Sequence, residues 1–364
     1  MTSLERFNAA IARKDYDRLP YSMSFVHELV KLLISRLGIK DNPSLLDSKL
    51  GCDRRSAWPR YIGTTPQKFE NGTYTDLFGV LKRDVQYPQG KYSEAIGNPL
   101  AGVESVREIE NYNWPKGSDY DYSSIPKILA KDPDHPYTVG YFSLGWFSWD
   151  MVGMEQFLEN LLLEPELSHA LINAVSDFGY DYYLKVLDAG RDYIGRNFRM
   201  IHLADDWATQ NGIMISVELY RTYFKKHYRR IIDAAHNAGV LVEFHCCGSA
   251  ERLIPEFIDT GIDILNPIQT SAHGMVPEVL KEKYGNYIAF SGGLDVQTIM
   301  PFGTPDEVEK EVYHLLDVLG KGGGYILEPS HALQIDTPLK NISAMLRAIY
   351  GYYGLADAPE IPDA

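Results

Sequence analysis

The second half of the chain alternates short apolar runs with amphipathic stretches, and this alternation constrains the fold more than any other feature of the sequence. Runs that predict β-strands lie at 200–204, 240–244, 262–265, 287–290 and 325–327. The stretches between and after them predict helices at 217–238, 250–260, 277–284, 305–319 and 338–352. Repeated strand–helix units with short connections require a parallel sheet with helices packed against it.

The ends of these helices are marked by residues that favour capping. Ser216 precedes the first of the helices as a candidate N-cap, and Thr304 and Glu307 form a capping box with Pro305 at the first helical position. A glycine follows four of the five helices, at positions 239, 261, 285 and 320. The helix boundaries are therefore better defined than the strand boundaries.

We expect an α/β fold, a (β/α)8 TIM barrel with an N-terminal helical or irregular cap, formed by a single domain over residues 1–364. The first half adds two weaker strand candidates, at 19–25 and 137–142. That makes seven strands, and the eighth is not visible in the sequence. The stretch 42–136, rich in Tyr, Pro, Asp and Gly, is too long for a structureless loop, so we expect helices and a cap over one barrel mouth.

Charge and cysteine content narrow the possible partners. The chain carries 35 Lys and Arg against 49 Asp and Glu, a formal net charge of −14, which argues against nucleic acid or an anionic membrane as the main partner. Three cysteines, two of them adjacent, give no disulfide framework and favour a reducing compartment. We find neither a signal-type apolar segment nor a membrane-spanning window, and expect a cytoplasmic protein.

Unusual polar residues follow five of the predicted strands. They are Asp205 and Asp206, His245 and Cys247, Asn266, Asp295, and Glu328 and His331. In parallel α/β proteins the carboxyl ends of the strands meet on one face, where active sites lie. Helix capping by loop residues is the alternative explanation. It accounts for Asn266 and for one aspartate of the pair, but not for a histidine and a cysteine two residues apart.

His245 and Cys247 form a candidate metal-binding pair. Residues i and i+2 of an extended chain project to the same side, and nitrogen with sulfur favours zinc. A lone His-x-Cys is weak support, because buried cysteines and hydrogen-bonded histidines are common. Glu328 and His331 compete for the position of a third ligand, and three protein ligands would leave zinc an open, catalytic position. Cys246 points the other way and is expected to pack in the core.

The remaining candidates concern catalysis and substrate binding. Asp295 and one of the adjacent aspartates Asp205 and Asp206 are candidate general acid/base residues. For Asp205 and Asp206, helix capping is the alternative role. The segment 141–149 concentrates aromatic residues, and Tyr141 and Trp146 are candidates for the wall of an aromatic substrate site or for ordinary packing. Gln210 and Asn266, in loops after their strands, complete the candidate substrate-binding set.

Several segments together resemble the uroporphyrinogen decarboxylase superfamily, and specifically its cobalamin-dependent methyltransferase branch. In chain order they read DDWATQ, HCCGS, GIDILNPIQTSAHGM, SGGLDVQ and GGGYILEPSHALQIDTPLKNI, with weaker likenesses in WPRY, PLAGVES and NYNWP. The resemblance covers most of the chain and implies a single-domain (β/α)8 barrel. It also implies zinc held by His245 and Cys247, with His331 at the position where the methyltransferases carry a cysteine.

The same resemblance separates the branches by chemistry. Uroporphyrinogen decarboxylases are metal-free and bind their substrate with arginines in a segment resembling PVWxMRQAGR. The corresponding stretch here, LPYSMSFVHELV, has no arginine. The methyltransferase branch implies a corrinoid (cobalamin) carried on a partner protein, because none of the ten histidines here has an aspartate two residues before it, as a DxHxxG corrinoid signature would require.

The leading hypothesis is a zinc-dependent methyltransferase that passes a methyl group between a small substrate, a methoxylated aromatic, and a separate corrinoid protein. A metal-free lyase of the decarboxylase type acting on another carboxylic acid is the runner-up. A barrel that binds a ligand without turnover is the third possibility, which the polar cluster disfavours.

Overall fold

Seven parallel strands form one curved sheet in the computed structural model, which describes residues 1–39, 45–87 and 90–362. In the described ranges the strands are β1 Arg55–Ala57, β2 Arg60–Tyr61, β3 Tyr74–Thr75, β4 Leu81–Tyr87, β5 Gly90–Gly97, β6 Tyr120–Asp121, β7 Tyr137–Phe142, β8 Phe198–Ala204, β9 Leu241–His245, β10 Ile264–Ile268, β11 Ala289–Leu294 and β12 Tyr325–Pro329. The curved sheet has the order β1-β7-β8-β9-β10-β11-β12, so neighbours follow one another along the chain.

Helices cover the outside of this sheet and the N-terminal part of the chain. They are α1 Ser3–Ile11, α2 His27–Leu37, α3 Leu46–Lys49, α4 Val106–Glu110, α5 Ser124–Leu129, α6 Leu144–Val152, α7 Met154–Leu163, α8 Pro165–Gly190, α9 Val217–Leu219, α10 Lys225–Ala238, α11 Ile254–Thr260, α12 Pro277–Tyr284, α13 Ile299–Phe302, α14 Pro305–Leu315 and α15 Leu339–Tyr352. Among the described helices, none combines the length and the apolar character that crossing a bilayer would require.

An extended segment around Tyr21 closes the barrel. Leu327 of β12 donates its N–H to Pro20 and accepts one from Ser22, with N···O distances of 3.0 and 3.1 Å. On the other side the N–H of Asp53 donates to Tyr21 O at 2.8 Å, just before β1 begins. The segment thus fills the eighth position, and the predicted (β/α)8 barrel is confirmed.

The strands differ from their predicted bounds in ways that bear on the site. The predicted strand at 19–25 makes bridges only at Tyr21 and Phe25, because Pro20 has no N–H to donate. The strand that was not visible in the sequence is β1, only three residues long and located in the stretch 42–136. Strands β9, β10 and β12 extend past their predicted ends, to His245, Ile268 and Pro329.

The stretch 42–136 begins outside the described residues, which resume at position 45. From there it forms α3, α4, α5 and β1, as well as two small antiparallel sheets, β2-β6 and β3-β4-β5. The predicted helical or irregular cap is therefore partly β, since β4 and β5 pair as an antiparallel hairpin of half-buried and exposed residues.

The two predicted side-chain N-caps are confirmed. Ser216 accepts a hydrogen bond from the N–H of Leu219, and Thr304 forms the capping box with Glu307. The helix predicted at 217–238 is interrupted by a π-helical turn at Tyr220–Phe224, so it divides into α9 and α10. One connected group of buried hydrophobic side chains runs from Leu19 to Ile361.

Asp53 anchors the closure of the barrel. Its carboxylate is fully buried and accepts hydrogen bonds from Arg6 and Arg18, each at 2.6 Å, and from the N–H of Tyr21 at 3.0 Å. This one side chain therefore holds α1, the closing segment and the start of β1 together.

Replacing Asp53 with Ala should lower the free energy of unfolding by about 3–5 kcal/mol, because two buried guanidinium groups lose their counter-charge. Urea denaturation followed by circular dichroism would measure it. The matched control is Asp188→Ala, which removes an exposed pair with Arg191 and should change the stability by less than about 0.5 kcal/mol. Equal effects of the two changes would contradict the anchoring role.

Candidate functional site

The carboxyl ends of the barrel strands surround a cavity of about 320 Å³. A smaller cavity of about 190 Å³ adjoins it, and four residues line both: Tyr141, His202, His245 and His331. These side chains come from β7, from β8, from β9 and from the loop after β12. The active-site face expected of a parallel barrel is thus the face on which the polar residues meet.

Three potential metal ligands converge at this mouth. The ligand atoms of His245, Cys247 and His331 all lie within 4.8 Å of one another, and Cys247 Sγ is 3.2 Å from His245 Nε2. His245 is the last residue of β9, and the chain then turns at Gly248, whose φ is +86°. A Cβ on Gly248 would lie 2.6 Å from Thr209 O, which explains the glycine after the two cysteines.

Asn266 fixes the tautomer of His245. The amide Nδ2 of Asn266 donates to the Glu328 carboxylate at 3.1 Å and to Ser291 Oγ at 3.2 Å, so its Oδ1 is the acceptor that faces His245 Nδ1 at 2.8 Å. Nδ1 must therefore carry the proton, and Nε2 keeps its lone pair on the side of Cys247. Burial lowers the pKa of His245 to about 4, which also favours the neutral imidazole.

A buried arginine lies beneath this arrangement. Arg54 donates to Glu243 at 2.7 Å, to Glu328 at 2.8 Å and to Thr138 Oγ1 at 3.0 Å. Burial acts to raise the pKa of Glu243, but Arg54 and His202 outweigh it and hold that pKa below its ordinary value. Burial raises the pKa of Glu328, and Arg54 offsets the rise only in part.

Glu243 holds a second histidine. Its Oε2 lies 2.8 Å from His202 Nδ1, so an ionised Glu243 accepts the proton of that nitrogen. The His202 ring stacks on Tyr141, with 5.8 Å between ring centroids and 24° between planes. His202 lines both cavities, so its free nitrogen, Nε2, is available to a molecule bound there.

The two adjacent aspartates take different positions. Asp205 is buried and accepts hydrogen bonds from Ser143 Oγ, from two backbone N–H groups at the start of α6 and from Tyr228 OH. Burial raises its pKa to about 6, against the effect of these four donors. Its contacts are those of a helix cap, which leaves Asp206 as the aspartate of the pair with a free oxygen at the mouth.

Asp206 lies beside the metal-binding pair. Its Oδ1 accepts the backbone N–H of Cys247 at 2.8 Å and is 3.9 Å from His245 Nε2. Burial, and then the Asp206 carboxylate, raise the pKa of the Cys247 thiol. Ionisation of Cys247 therefore requires a compensating positive charge in the site.

Two of the other sequence-derived candidates lie away from the cavity linings. Asp295 accepts the N–H groups of Gln297, Thr298 and Ile299 and caps the short helix α13. Gln210 is exposed, and its carbonyl accepts the N–H of His273. Catalysis by Asp295 and substrate binding by Gln210 stay predictions, and neither enters the proposal below.

The aromatic candidates form a wall of the cavities. Tyr141 lines both, Trp146 lines the smaller one and Trp58 lines the larger. All three remain partly exposed, and the Trp58 ring meets Tyr141 edge-on at 6.5 Å. Of the alternatives that the sequence left open, the cavity wall fits these positions better than packing in the core.

Of the two candidates for a third ligand, His331 is the one whose ligand atom lies within 4.8 Å of those of His245 and Cys247. Glu328 is engaged by Arg54 and Asn266, and it is not part of the converging group of His245, Cys247 and His331. Cys246 is fully buried in the hydrophobic core, where the sequence pattern places it.

Sequence reasoning missed three residues of the site: Arg54, His202 and Glu243. Arg54 precedes a strand of three residues that the apolar pattern did not mark. His202 and Glu243 lie inside strands, where only polar residues within an apolar run could have signalled an inward-facing polar position. Their mutual contacts join residues 189 and 41 positions apart, which no local pattern encodes.

Comparison with known proteins shows which family this chain resembles. The sequence model described as Uroporphyrinogen decarboxylase (URO-D) matches residues 79–352. The methylcobamide:CoM methyltransferase MtbA of Methanosarcina acetivorans is 25% identical over 96% of this chain and 98% of its own length. The methylated-thiol–coenzyme M methyltransferase of Methanosarcina mazei is 28% identical, but the match spans 54% of this chain and 48% of that protein.

A solved structure shares the whole fold. The structure described as a methyltransferase from Methanosarcina mazei superposes with a TM-score of 0.71 at 17% identity, covering 97% of this chain and 99% of that one. At 17% identity this similarity shows a shared fold only. With the match of the family model over most of the chain, it confirms the resemblance found in the sequence: the chain belongs to the uroporphyrinogen decarboxylase (URO-D) family.

Proposed function

We propose that this protein is a zinc-dependent methyltransferase that moves a methyl group between a small substrate and a separate corrinoid protein, with a methoxylated aromatic compound as the methyl donor. The observation that carries the proposal is the convergence of His245, Cys247 and His331 within 4.8 Å at the barrel mouth. The two methyltransferases of Methanosarcina described above support the reaction class, since their names specify methylcobamide or methylated thiols as methyl donors.

The donor set fits zinc. Two imidazole nitrogens and a thiolate are typical ligands of a four-coordinate zinc, and three protein ligands leave one position for a substrate atom. The bonded Nδ1 of His245 resembles the outer hydrogen bonds that usually orient metal-binding histidines. When bound there, zinc would supply Lewis acidity that stabilises the heteroatom released as the methyl group departs.

The residues of the chain prepare this position. Asn266 directs the lone pair of His245 Nε2 toward Cys247, and Asp206 holds the backbone of Cys247 in the turn after β9. Tyr141 and Trp146 line the smaller cavity together with His245 and His331. An aromatic ring stacked there would exclude water from the reacting heteroatom and hold its methyl group toward the open mouth.

The corrinoid is expected on a partner protein. The chain has no DxHxxG signature among its ten histidines, so no histidine here matches the pattern that would hold a corrinoid itself. The mouth that carries the cluster opens to solvent, and His331 is exposed there. A corrinoid protein can therefore approach the methyl group from outside the barrel.

The lyase alternative fits the cavity less well. A decarboxylase that takes carboxylic acids needs cationic groups to bind them. Among the described residues that line the two cavities, Arg54 is the one Lys or Arg, and Glu243 and Glu328 already bind its guanidinium. Release of carbon dioxide by a chelator-treated enzyme would nevertheless support that alternative over the methyltransferase.

Zinc content tests the proposed ligands. The purified protein supplied with zinc should contain about one zinc ion per chain, and Cys247→Ala and His331→Ala should each lose most of it, because two ligands do not retain zinc against a chelator. Elemental analysis after dialysis against a weak chelator measures it. Cys246→Ala is the matched control and should keep the metal, since Cys246 lies in the core. Zinc retained in Cys247→Ala would contradict the assignment.

Methyl transfer tests the activity. Incubation of the zinc-loaded protein with 2-methoxyphenol and cob(I)alamin should form methylcobalamin, which is followed by its absorption spectrum. Cys247→Ala should slow this reaction by at least about 100-fold. Loss of a group that hydrogen-bonds to a metal ligand already costs up to about 100-fold in activity, and loss of the ligand itself should cost at least as much. Cys246→Ala again serves as the control. Equal rates for the wild type and Cys247→Ala would refute a zinc mechanism.

Asn266→Leu tests the orientation of His245. Leucine keeps the volume but accepts no hydrogen bond, so the imidazole loses its fixed tautomer and zinc affinity should fall by about 10–100-fold. Competition with a zinc-binding dye measures the affinity. Replacement of the exposed Asn211 by Leu is the control and should leave the affinity unchanged. An unchanged zinc affinity in Asn266→Leu would show that the hydrogen bond from Asn266 to His245 is not needed for zinc binding.

A further inference from the structure

The larger cavity contains a histidine that the proposed metal site does not use. His202 Nδ1 is bound to Glu243, and Glu243 is in turn bound to Arg54, so the ring is held from below by two further buried side chains. In the described part of the chain no protein group hydrogen-bonds to His202 Nε2. The His202 side chain is 16% exposed, and an oriented ring nitrogen without a protein partner at a cavity wall is available to a ligand.

The direction of that hydrogen bond follows from Glu243. Glu243 Oε2 accepts a hydrogen bond from Arg54 at 2.7 Å and lies 2.8 Å from His202 Nδ1, so this oxygen is the acceptor and Nδ1 the donor, which leaves a lone pair on Nε2. A bound molecule must then offer an O–H or N–H donor to this nitrogen. The Tyr141 ring, stacked on His202, continues the aromatic surface from this acceptor toward His245 and His331.

The charges around the cavity oppose anions. Asp47, Glu243 and Glu328 line the larger cavity, and Asp205 and Asp206 line the smaller one. The single guanidinium of the described lining already makes ion pairs with two of these carboxylates. A carboxylate on a substrate ring would enter this lining without a free side-chain cation to pair with, at a large desolvation cost.

We propose that His202, oriented by Glu243, accepts a hydrogen bond from a hydroxyl group of the substrate, and that the cavity selects uncharged hydroxylated methoxyarenes over methoxylated aromatic acids. This inference rests on the proposed function, which makes a methoxylated aromatic the methyl donor. It adds a specificity residue that neither the His245–Cys247–His331 cluster nor the family resemblance assigns.

Calorimetric titration of the zinc-loaded protein tests it with three ligands that differ by one group. They are 2-methoxyphenol, 1,2-dimethoxybenzene, which lacks the hydroxyl, and 4-hydroxy-3-methoxybenzoate, which adds a carboxylate. The wild type should bind 2-methoxyphenol at least about tenfold more tightly than either of the others, since an unpaired buried acceptor or carboxylate remains in those complexes. His202→Phe should bind 2-methoxyphenol and 1,2-dimethoxybenzene equally.

Two further variants control for loss of structure. His202→Gln retains a side-chain acceptor and should recover part of the preference for the hydroxyl. His236→Phe removes a histidine of α10 that pairs with Asp263 outside both cavities, and should bind as the wild type does. Two results would overturn the inference without contradicting the proposed methyltransferase function. One is a preference for 2-methoxyphenol that persists in His202→Phe, and the other is wild-type binding of 4-hydroxy-3-methoxybenzoate as tight as that of 2-methoxyphenol. Failure of all three arenes to bind the wild type would instead overturn the aromatic donor of the proposed function.

Discussion

The arrangement of the barrel mouth depends on one buried guanidinium. Arg54 binds Glu243 of β9 and Glu328 of β12, strands that are separated in the sheet by β10 and β11. Glu243 is almost fully buried and Glu328 is 14% exposed, and the guanidinium gives both carboxylates the counter-charge and hydrogen bonds that buried carboxylates need. Glu328 accepts a hydrogen bond from Asn266, which in turn binds His245. Glu243 binds His202 directly.

Much of the architecture could be predicted from the sequence, because it depends on local patterns. The apolar runs, the capping residues and the glycines at helix ends placed the helices of the second half and the order of its strands. The convergence of His245, Cys247 and His331 was also predictable in outline, since strand ends in a parallel barrel share one face. Strands β9 to β12 run further than the apolar runs do, because backbone pairing with the neighbouring strands continues past those runs.

What the sequence did not reveal is set by contacts between distant residues. Arg54 lies in a part of the chain with no visible periodicity, and β1 is too short to show one. His202 and Glu243 look like ordinary strand residues until the sheet pairs them side by side. The roles of the aspartates were ambiguous for the same reason. Asp205 caps α6 through a contact with Leu144, 61 residues earlier in the chain, and no local pattern shows that the N–H groups at that helix start take its carboxylate as their acceptor.

The contacts of Asp205 couple two parts of the site that could otherwise vary separately. Its carboxylate binds the N–H of Trp146 in the aromatic wall, while its own N–H donates to the carbonyl of His245 at 2.9 Å. The separation between the wall and the first metal-ligand candidate is therefore fixed through a single residue. Side chains that line the cavities could therefore change without moving either element, whereas a change in the separation between Trp146 and His245 would break these contacts of Asp205.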